Sequence, residues 1–166
     1  MRQTKRLLSV VSVMLIAACT DNSLTGVYGD AAGTYDLTVY AGRTPPATYT
    51  IQPNDPNYPE APNGGTLVVT DGTIELQANG TFYETNYYQI TPNGGGSTVT
   101  RTYSRYGNWT VTGNDLRLDI PAQTNVSTPF TDYGSLTVDA NGRYTVNYDE
   151  DNGLGTFLSY EYKRNM

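Results

Sequence analysis

Apolar and polar residues alternate along most of the chain with a period of two, which is the pattern of half-buried β-strands. Tyr35, Leu37 and Val39 alternate with polar neighbours, residues 47–51 form a second candidate strand, and residues 156–162 form the last one. After the N-terminal apolar run the sequence has no helical periodicity. The pattern therefore predicts an all-β fold.

Turn sequences between these runs predict three hairpins. Ala-Asn-Gly occurs at residues 78–80 and again at 140–142, and each copy suits a type I turn closed by a glycine in the left-handed conformation. In the second hairpin Asp139 comes opposite Arg143, and opposite charges support the pairing. The third hairpin turns at Gly113-Asn114.

Two segments are predicted to interrupt the strands. Thr44-Pro45-Pro46 cannot pair in a central ladder, and residues 52–65, which carry four prolines, are predicted to form the longest loop. Asp71-Gly72 forms either a tight turn or a glycine bulge in one long strand, and we favour the bulge. Either choice gives about eight to ten strands, so we expect an up-and-down meander that closes into a small barrel and removes its exposed edges. An open sandwich is the alternative.

Residues 7–17 form an apolar run behind Arg2, Lys5 and Arg6, which is the layout of a secretory signal. A helix needs about 20 apolar residues to span a bilayer, so this run is too short. We interpret residues 1–18 as a signal peptide, residues 19–32 as a short polar tether, and residues 33–166 as one domain.

The signal ends in Leu15-Ile16-Ala17-Ala18-Cys19, which resembles the lipobox of bacterial lipoproteins. The resemblance implies cleavage before Cys19, a diacylglyceryl group on the Cys19 sulfur, and a fatty acyl chain such as palmitate on the new amino terminus. Two or more chains anchor a domain firmly to a membrane. Thr20 follows the cysteine, and the resemblance then implies the outer membrane of a Gram-negative cell envelope. The alternative is an ordinary cleaved signal with an incidental cysteine.

Composition argues against several kinds of chemistry. The formal net charge is −6 although the signal contributes only basic residues, so the rest of the chain is more acidic still and repels nucleic acid. The sequence contains no histidine, which removes the usual general base and the usual zinc ligand. Cys19 is the only cysteine, so the domain must fold without a disulfide framework. We predict no enzyme activity, no cofactor and no metal site.

Several short sequences between residues 33 and 163 resemble bacterial lipocalin-like domains. They are G-x-Y-x-L at residues 33–37, Pro45-Pro46, L-x-A-N-G-T-F at 76–82, G-x-W-x-V-x-G-N-x-L at 107–116, and F-L-x-Y-E-Y-K at 157–163. The resemblance implies a small barrel whose interior holds an apolar ligand.

Two neighbouring predicted strands alternate charged and aromatic residues on one face. If that face points into the barrel, Glu84 pairs with an arginine there, and the pair orients the polar head of a ligand. If the strands slip by one residue or lie at the rim, the charges lie in solvent and Tyr83, Tyr87 and Tyr106 face inward. We favour this second arrangement. The candidate ligand-binding residues are Phe82, Glu84, Tyr88, Arg101, Tyr103 and Trp109.

Other acidic residues suggest chemistry less strongly. Residues 149–153 cluster hard oxygen ligands before a glycine but lack the spacing of an EF-hand loop, so we favour a solvated acidic turn over a calcium site. Glu84 with Glu75, or Asp115 with Asp119, are the candidate carboxylate pairs of a glycosidase. Acids at outward strand positions are common, and we do not favour the enzyme.

Two functional hypotheses remain. In the first, the barrel binds a small apolar or amphipathic molecule in the cell envelope without catalysis. In the second, the barrel is solid, and its tyrosine-rich outer face or its proline-rich loop docks another envelope protein. The two differ in whether Trp109, Phe82 and their neighbours fill the interior or leave a cavity.

Replacing the predicted anchor residue tests the lipoprotein interpretation. We expect Cys19→Ser to move the protein from the membrane fraction to the soluble fraction while the domain stays folded, because no lipid is then attached. Cell fractionation and circular dichroism measure the two properties. A Cys19→Ser protein that still sediments with membranes would contradict the lipid anchor.

Overall fold

The computed structural model describes residues 29–124, 126–151 and 157–165. The predicted signal, Cys19 and most of the predicted tether lie outside these residues, as do residues 152–156. Within the described ranges, no helix has the length and apolar content that a membrane crossing requires.

The described residues form nine β-strands in one antiparallel sheet. Their bounds are β1 (Gly33–Tyr40), β2 (Ala47–Pro53), β3 (Asn63–Leu76), β4 (Thr81–Pro92), β5 (Val99–Thr112), β6 (Asp115–Ile120), β7 (Phe130–Val138), β8 (Tyr144–Asp151) and β9 (Phe157–Arg164). Each strand from β2 to β8 pairs with the one that follows it in sequence, so the sheet is a meander.

The sheet closes on itself through its first strand. β1 pairs on one side with β9 and on the other with the second half of β3. The first half of β3 pairs with β2, which lies outside the closed ring. In the described part of the chain, eight strands therefore form the barrel and β2 is an added edge strand. The predicted all-β meander barrel is confirmed.

The predicted hairpins are confirmed in position and register. Leu76 pairs with Phe82 across the first turn, and Gly80 has a φ of 84°. Gly142 in the second copy has a φ of 78°. Both angles lie in the left-handed region, which glycine occupies without strain. In the third hairpin Thr112 pairs with Asp115 across the two-residue turn.

The favoured bulge at Asp71 is also confirmed. β3 runs through it as one strand, and its register against β4 shifts between Val69 and Asp71. β3 pairs with β2 before this shift and with β1 after it. The bulge thus marks the place where the closing strand replaces the edge strand.

The proline-rich loop is shorter than predicted. β2 continues to Pro53 and β3 begins at Asn63, so the loop covers residues 54–62 and the predicted bounds of 52–65 are wrong. Pro53 lies at the end of an edge strand, where the missing N–H removes no ladder bond from the barrel.

Asp139 lies opposite Arg143 as predicted, and its backbone N–H donates to the Arg143 carbonyl at 3.0 Å. Its carboxylate accepts hydrogen bonds from the backbone N–H groups of Asn141 and Arg143, at 2.8 and 2.9 Å. The Arg143 Nε group donates to the Arg164 carbonyl. The short side chain of Asp139 therefore stabilises the turn backbone, as aspartates in turns commonly do.

Apolar side chains fill the end of the barrel where the three predicted hairpins lie. Trp109 is 1% exposed, and its indole Nε1 donates to the Gln77 carbonyl at 3.0 Å. Beside it the Tyr35 hydroxyl donates to the carbonyl of fully buried Ala31. Residues 30–32, which were predicted to belong to the tether, thus pack on the folded domain. We call this end of the barrel the packed end and the opposite end the mouth.

Candidate functional site

A buried guanidinium lies across the middle of the barrel. Arg105 on β5 is fully buried, and its Nε donates to Glu84 Oε2 on β4 at 2.7 Å. Its Nη1 donates to Asp132 Oδ2 on β7, also at 2.7 Å. The guanidinium also lies over the ring of Tyr148, 5.1 Å from its centroid. One side chain therefore ties three strands together from inside the barrel.

Glu84 receives further hydrogen bonds from neighbours of the same layer. Asn86 Nδ2 donates to its Oε1 at 2.6 Å, and the Tyr162 hydroxyl donates to the same oxygen at 2.9 Å. Asn86 occupies space that a side chain at Gly72 would fill, since a Cβ there would lie 2.0 Å from Asn86 Oδ1. Because these donors come from β4, β5 and β9, Glu84 is held as an ionic acceptor on several sides.

Glu150 on β8 extends this cluster toward the mouth. Its Oε1 lies 3.9 Å from Arg105 Nη1, and its Oε2 accepts a hydrogen bond from the Tyr160 hydroxyl at 2.9 Å. The cluster of Glu84, Arg105, Asp132 and Glu150 is called the buried charge cluster below. Among the described residues it contains three carboxyl groups around one guanidinium.

Burial and crowding raise the pKa values of two of these acids. Loss of hydration raises the pKa of Asp132 to about 7, against the lowering effect of Arg105. Loss of hydration also raises the pKa of Glu150, again opposed by Arg105 and reinforced by Glu84. Burial by itself lowers the pKa of Arg105, but Glu84 and the other nearby charges raise it well above its usual value. The cluster therefore keeps its positive charge, and Asp132 binds or releases its proton near neutral pH.

A cavity of about 940 Å³ lies between the buried charge cluster and the mouth. Its walls come from β1 to β5, β8 and β9, from loop 54–62, and from residues 126–131. The aromatic residues that line it are Tyr40, Tyr49, Tyr58, Tyr88, Tyr103, Phe130 and Tyr160. Glu150 is the member of the buried charge cluster that also lines the cavity.

Tyrosine rings connect the two parts of the site. Tyr148, Tyr160 and Tyr162 stack nearly parallel, with 4.9 Å between the centroids of Tyr148 and Tyr160. Tyr40 meets Tyr160 edge-on at 5.1 Å and an interplanar angle of 90°. Tyr40 also lies edge-on against Tyr49 and Tyr88. The cavity thus has both ring faces and ring edges on its walls.

The mouth is held by contacts from Arg101. Its Nη2 lies 3.0 Å from Glu60 Oε2, and its Nη1 donates to the Asn57 carbonyl at 2.8 Å. Both partners belong to loop 54–62, whose Tyr58 lines the cavity. Arg101 therefore fixes the proline-rich loop as part of the cavity rim.

The structure divides the six predicted ligand-binding residues into three groups. Tyr88, Arg101 and Tyr103 line the cavity. Glu84 lies below it in the buried charge cluster. Phe82 and Trp109 are buried at the packed end, at 2% and 1% exposure.

The favoured orientation of β4 and β5 is wrong. Tyr83, Tyr87 and Tyr106 are 47%, 41% and 51% exposed, so they face outward, while Glu84 and Arg105 are fully buried. The physical reason is that the charges need not stay in water when they pair, since Glu84 and Arg105 are direct cross-strand partners.

The acidic residues of the other two sequence hypotheses also have defined positions. β8 continues to Asp151, and Glu150 takes part in the buried charge cluster, so the favoured solvated turn is wrong for this residue. Residues 152 and 153 of that run lie outside the described residues. Glu75 is exposed on the outside of the wall that buries Glu84, and Asp115 is exposed as well. Among the described residues, no cluster of acidic or sulfur side chains is arranged to hold a metal ion.

Sequence reasoning missed several residues of the site. Arg105 shares the two-residue period of Arg101 and Tyr103, so alternation allows it as the inward arginine partner of Glu84, although it was not among the candidate ligand-binding residues. Tyr40 and Tyr160 also lie in predicted strands, but no local pattern assigns them to one cavity. The sequence did not place Glu150 in the barrel interior, because an acidic run before a glycine is typical of a solvated turn.

Comparison with known proteins gives no family for this geometry. No protein-family model matches the chain, and no curated protein is similar to it at a significant level. We therefore infer the function from the site alone.

Removing the central guanidinium should destabilise the barrel strongly. We expect Arg105→Met to lower the free energy of unfolding by about 3–5 kcal/mol, because Glu84 and Asp132 then remain buried without a positive partner. The matched control is Arg101→Met, whose ion pair is partly exposed and should be worth about 1 kcal/mol or less. Urea denaturation measures both, and equal losses would contradict the central role of Arg105.

Stability should fall as the pH rises from about 4 to about 7 and then level off. The folded state binds the Asp132 proton more tightly than the unfolded chain does, so this stabilisation is complete below the unfolded pKa and is lost as the pH passes through the folded pKa of about 7. Glu150 acts in the same direction. We expect a loss on the order of 2 kcal/mol between pH 5 and pH 8, since one pKa unit corresponds to about 1.4 kcal/mol.

Asp132→Asn tests the assignment of this pH dependence. The amide side chain of this variant keeps an oxygen that accepts from Arg105 but cannot titrate, so most of the slope between pH 5 and pH 8 should disappear. Exposed Asp149→Asn is the control and should keep the slope. Urea denaturation at several pH values measures it, and an unchanged slope in Asp132→Asn would show that another group is responsible.

Proposed function

We propose that this protein is a lipid-anchored protein of the Gram-negative cell envelope whose barrel binds a small amphipathic molecule in the mouth cavity without catalysis. The cavity of about 940 Å³ carries this proposal, because ligand sites commonly have volumes of about 300–1,000 Å³. The resemblance of residues 15–19 to a lipobox supports the anchor on Cys19, and Thr20 after the cysteine supports the outer membrane.

The lining of the cavity supports an amphipathic ligand. Leu67, Phe130 and Leu158 offer apolar surface, while Glu150 and the tyrosine hydroxyls offer polar groups at defined places. Sites of this kind use a mostly apolar wall for affinity and a few fixed polar groups for orientation. The packed end closes the barrel behind Trp109, so a ligand would enter through the mouth.

The absence of catalysis is supported by the placement of the acids. The chain has no histidine, and Glu75 lies on the opposite side of the barrel wall from Glu84. The carboxyl groups in the interior are engaged by Arg105, Asn86, Tyr160 and Tyr162.

Docking of another envelope protein is a second candidate function. Tyr83 and Tyr106 are cross-strand partners on the outer face of β4 and β5, and both are about half exposed. Tyrosine is enriched at protein interfaces, where it supplies apolar area and a hydroxyl. This function would not need the cavity, so a variant that fills the cavity distinguishes the two.

Filling the cavity should abolish ligand binding. The test uses the full chain with Cys19→Ser, exported in a Gram-negative host, and native mass spectrometry both before and after addition of decanol. We expect a co-purified small molecule or saturable decanol binding, and we expect Leu158→Trp to remove it because the larger ring occupies the cavity. Val138→Trp, at an exposed position of β7 near the packed end, is the control and should bind normally.

The proposal would be overturned if the protein carried no small molecule and bound no decanol. It would also be overturned if Leu158→Trp and the control bound equally, since the ligand would then lie elsewhere.

A further inference from the structure

Tyrosine rings line the mouth cavity beside one carboxylate. Tyr88, Tyr103 and Tyr160 line the cavity together with Glu150, and the Tyr160 hydroxyl donates to that carboxylate. Tyr40 packs edge-on against both Tyr88 and Tyr160. Aromatic rings and a carboxylate that line the same cavity both attract an organic cation.

The positive side chains near the cavity have partners, although one nitrogen of Arg105, Nη2, has no hydrogen-bond partner among the described residues. Arg105 is bound to Glu84 and Asp132 beneath the cavity, and Arg101 is bound to Glu60 at the rim. Asp55 adds a further carboxylate to the lining. Among the described residues the charge around the cavity is therefore negative in excess, which disfavours an anionic ligand.

The buried charge cluster is a second, independent reason to expect a positively charged ligand. With all three carboxyl groups ionised, the cluster would hold two more negative charges than positive ones, and isolated charge is costly to bury. Protonation relieves this excess in the free protein. A positive group beside Glu150 would relieve it instead, and the cavity is the space that lies open to Glu150.

We propose that the ligand of the mouth cavity is an organic cation, with its ammonium group held by the Glu150 carboxylate and against the tyrosine rings that line the cavity. Its apolar part lies along Leu67, Phe130 and Leu158 toward the mouth. This inference rests on the proposed function and adds the chemical class of the ligand.

Binding of a cation should release protons and strengthen as the pH rises from 5 to 8. The ligand favours the ionised form of Glu150, whose pKa is raised in the free protein. The charged and titratable groups that face Glu150 are Arg105, Glu84, Asp132, Tyr40, Tyr58, Tyr88, Tyr103, Tyr148 and Tyr160. The tyrosines with raised pKa values stay protonated over this range. The protons released on cation binding therefore come from the acids of the cluster.

Three probes with the same alkyl chain test the charge of the ligand: decyltrimethylammonium, decanol and decanoate. Isothermal titration calorimetry with the full-length Cys19→Ser protein at pH 7 measures their affinities. We expect the ammonium probe to bind about tenfold or more tightly than decanol, since a desolvated cation–π contact is worth about 1–2 kcal/mol. Decanoate should bind most weakly. Repeating the ammonium titration in two buffers of different ionisation enthalpy should show proton release.

Glu150→Gln and Asp149→Asn form a matched pair of variants on β8. Each removes one negative charge, but Glu150 lines the cavity and Asp149 is exposed. We expect Glu150→Gln to weaken the ammonium probe by about tenfold more than it weakens decanol. Circular dichroism shows whether the variant is folded. Asp149→Asn should leave both affinities unchanged.

The outcomes separate this inference from the proposed function. Equal binding of decanol and the ammonium probe, or tighter binding of decanoate, would overturn the cation and leave the binding function standing. An ammonium affinity that Glu150→Gln does not change would overturn it as well. Failure of all three probes to bind would overturn both proposals.

Discussion

The rest of the structure depends on the buried guanidinium of Arg105. Its bonds to Glu84 and Asp132 join β4, β5 and β7 inside the barrel, where no water is available to replace a lost partner. A slip of one residue between β4 and β5 would move one charge outside and leave the other unpaired within. The charge pairs thus act against alternative registers, although a packed apolar core of the same shape would be at least as stable. We infer that the charge pairs in the middle of the barrel specify the strand register more than they add stability.

The buried charge cluster divides the interior into two unlike halves. Below it, Trp109 and its apolar neighbours fill the packed end as a protein core does. Above it, the interior consists of tyrosines, whose rings bury apolar area while their hydroxyls reach polar partners such as Glu150 and the Tyr40 carbonyl. The cavity lies among these tyrosines and the loops at the mouth. Glu150 lines the cavity and also belongs to the buried charge cluster. A change of charge in the cavity therefore changes the electrostatic environment of the cluster.

Local sequence patterns predicted the fold, but they did not predict how far along the barrel axis each residue lies. The Ala-Asn-Gly turns fix the registers of two hairpins, and alternation then fixes which side chains face inward, because a strand has a period of two. Alternation does not say how far along the barrel axis a residue lies. It therefore grouped Phe82 and Trp109 with Tyr88, although the first two are at the packed end and the third lines the cavity. Glu150 and Tyr58 join the cavity through pairings between strands and loops distant in sequence, which no local pattern reports.

In the proposed binding mode, protonation and occupancy of the cavity are linked through Glu150. An excess of carboxyl groups around one guanidinium can be relieved by a proton on an acid or by a positive group of the ligand, and both act on the same oxygen atoms. By reciprocity, a ligand that lowers the proton affinity of Glu150 binds less well wherever the proton is favoured. The pKa of Asp132 is raised to about 7, so the cluster binds or releases a proton close to neutral pH, and the sequence contains no histidine that could do so instead. In the proposed binding mode, an acidic envelope therefore favours the empty protonated barrel and a neutral one favours the occupied barrel.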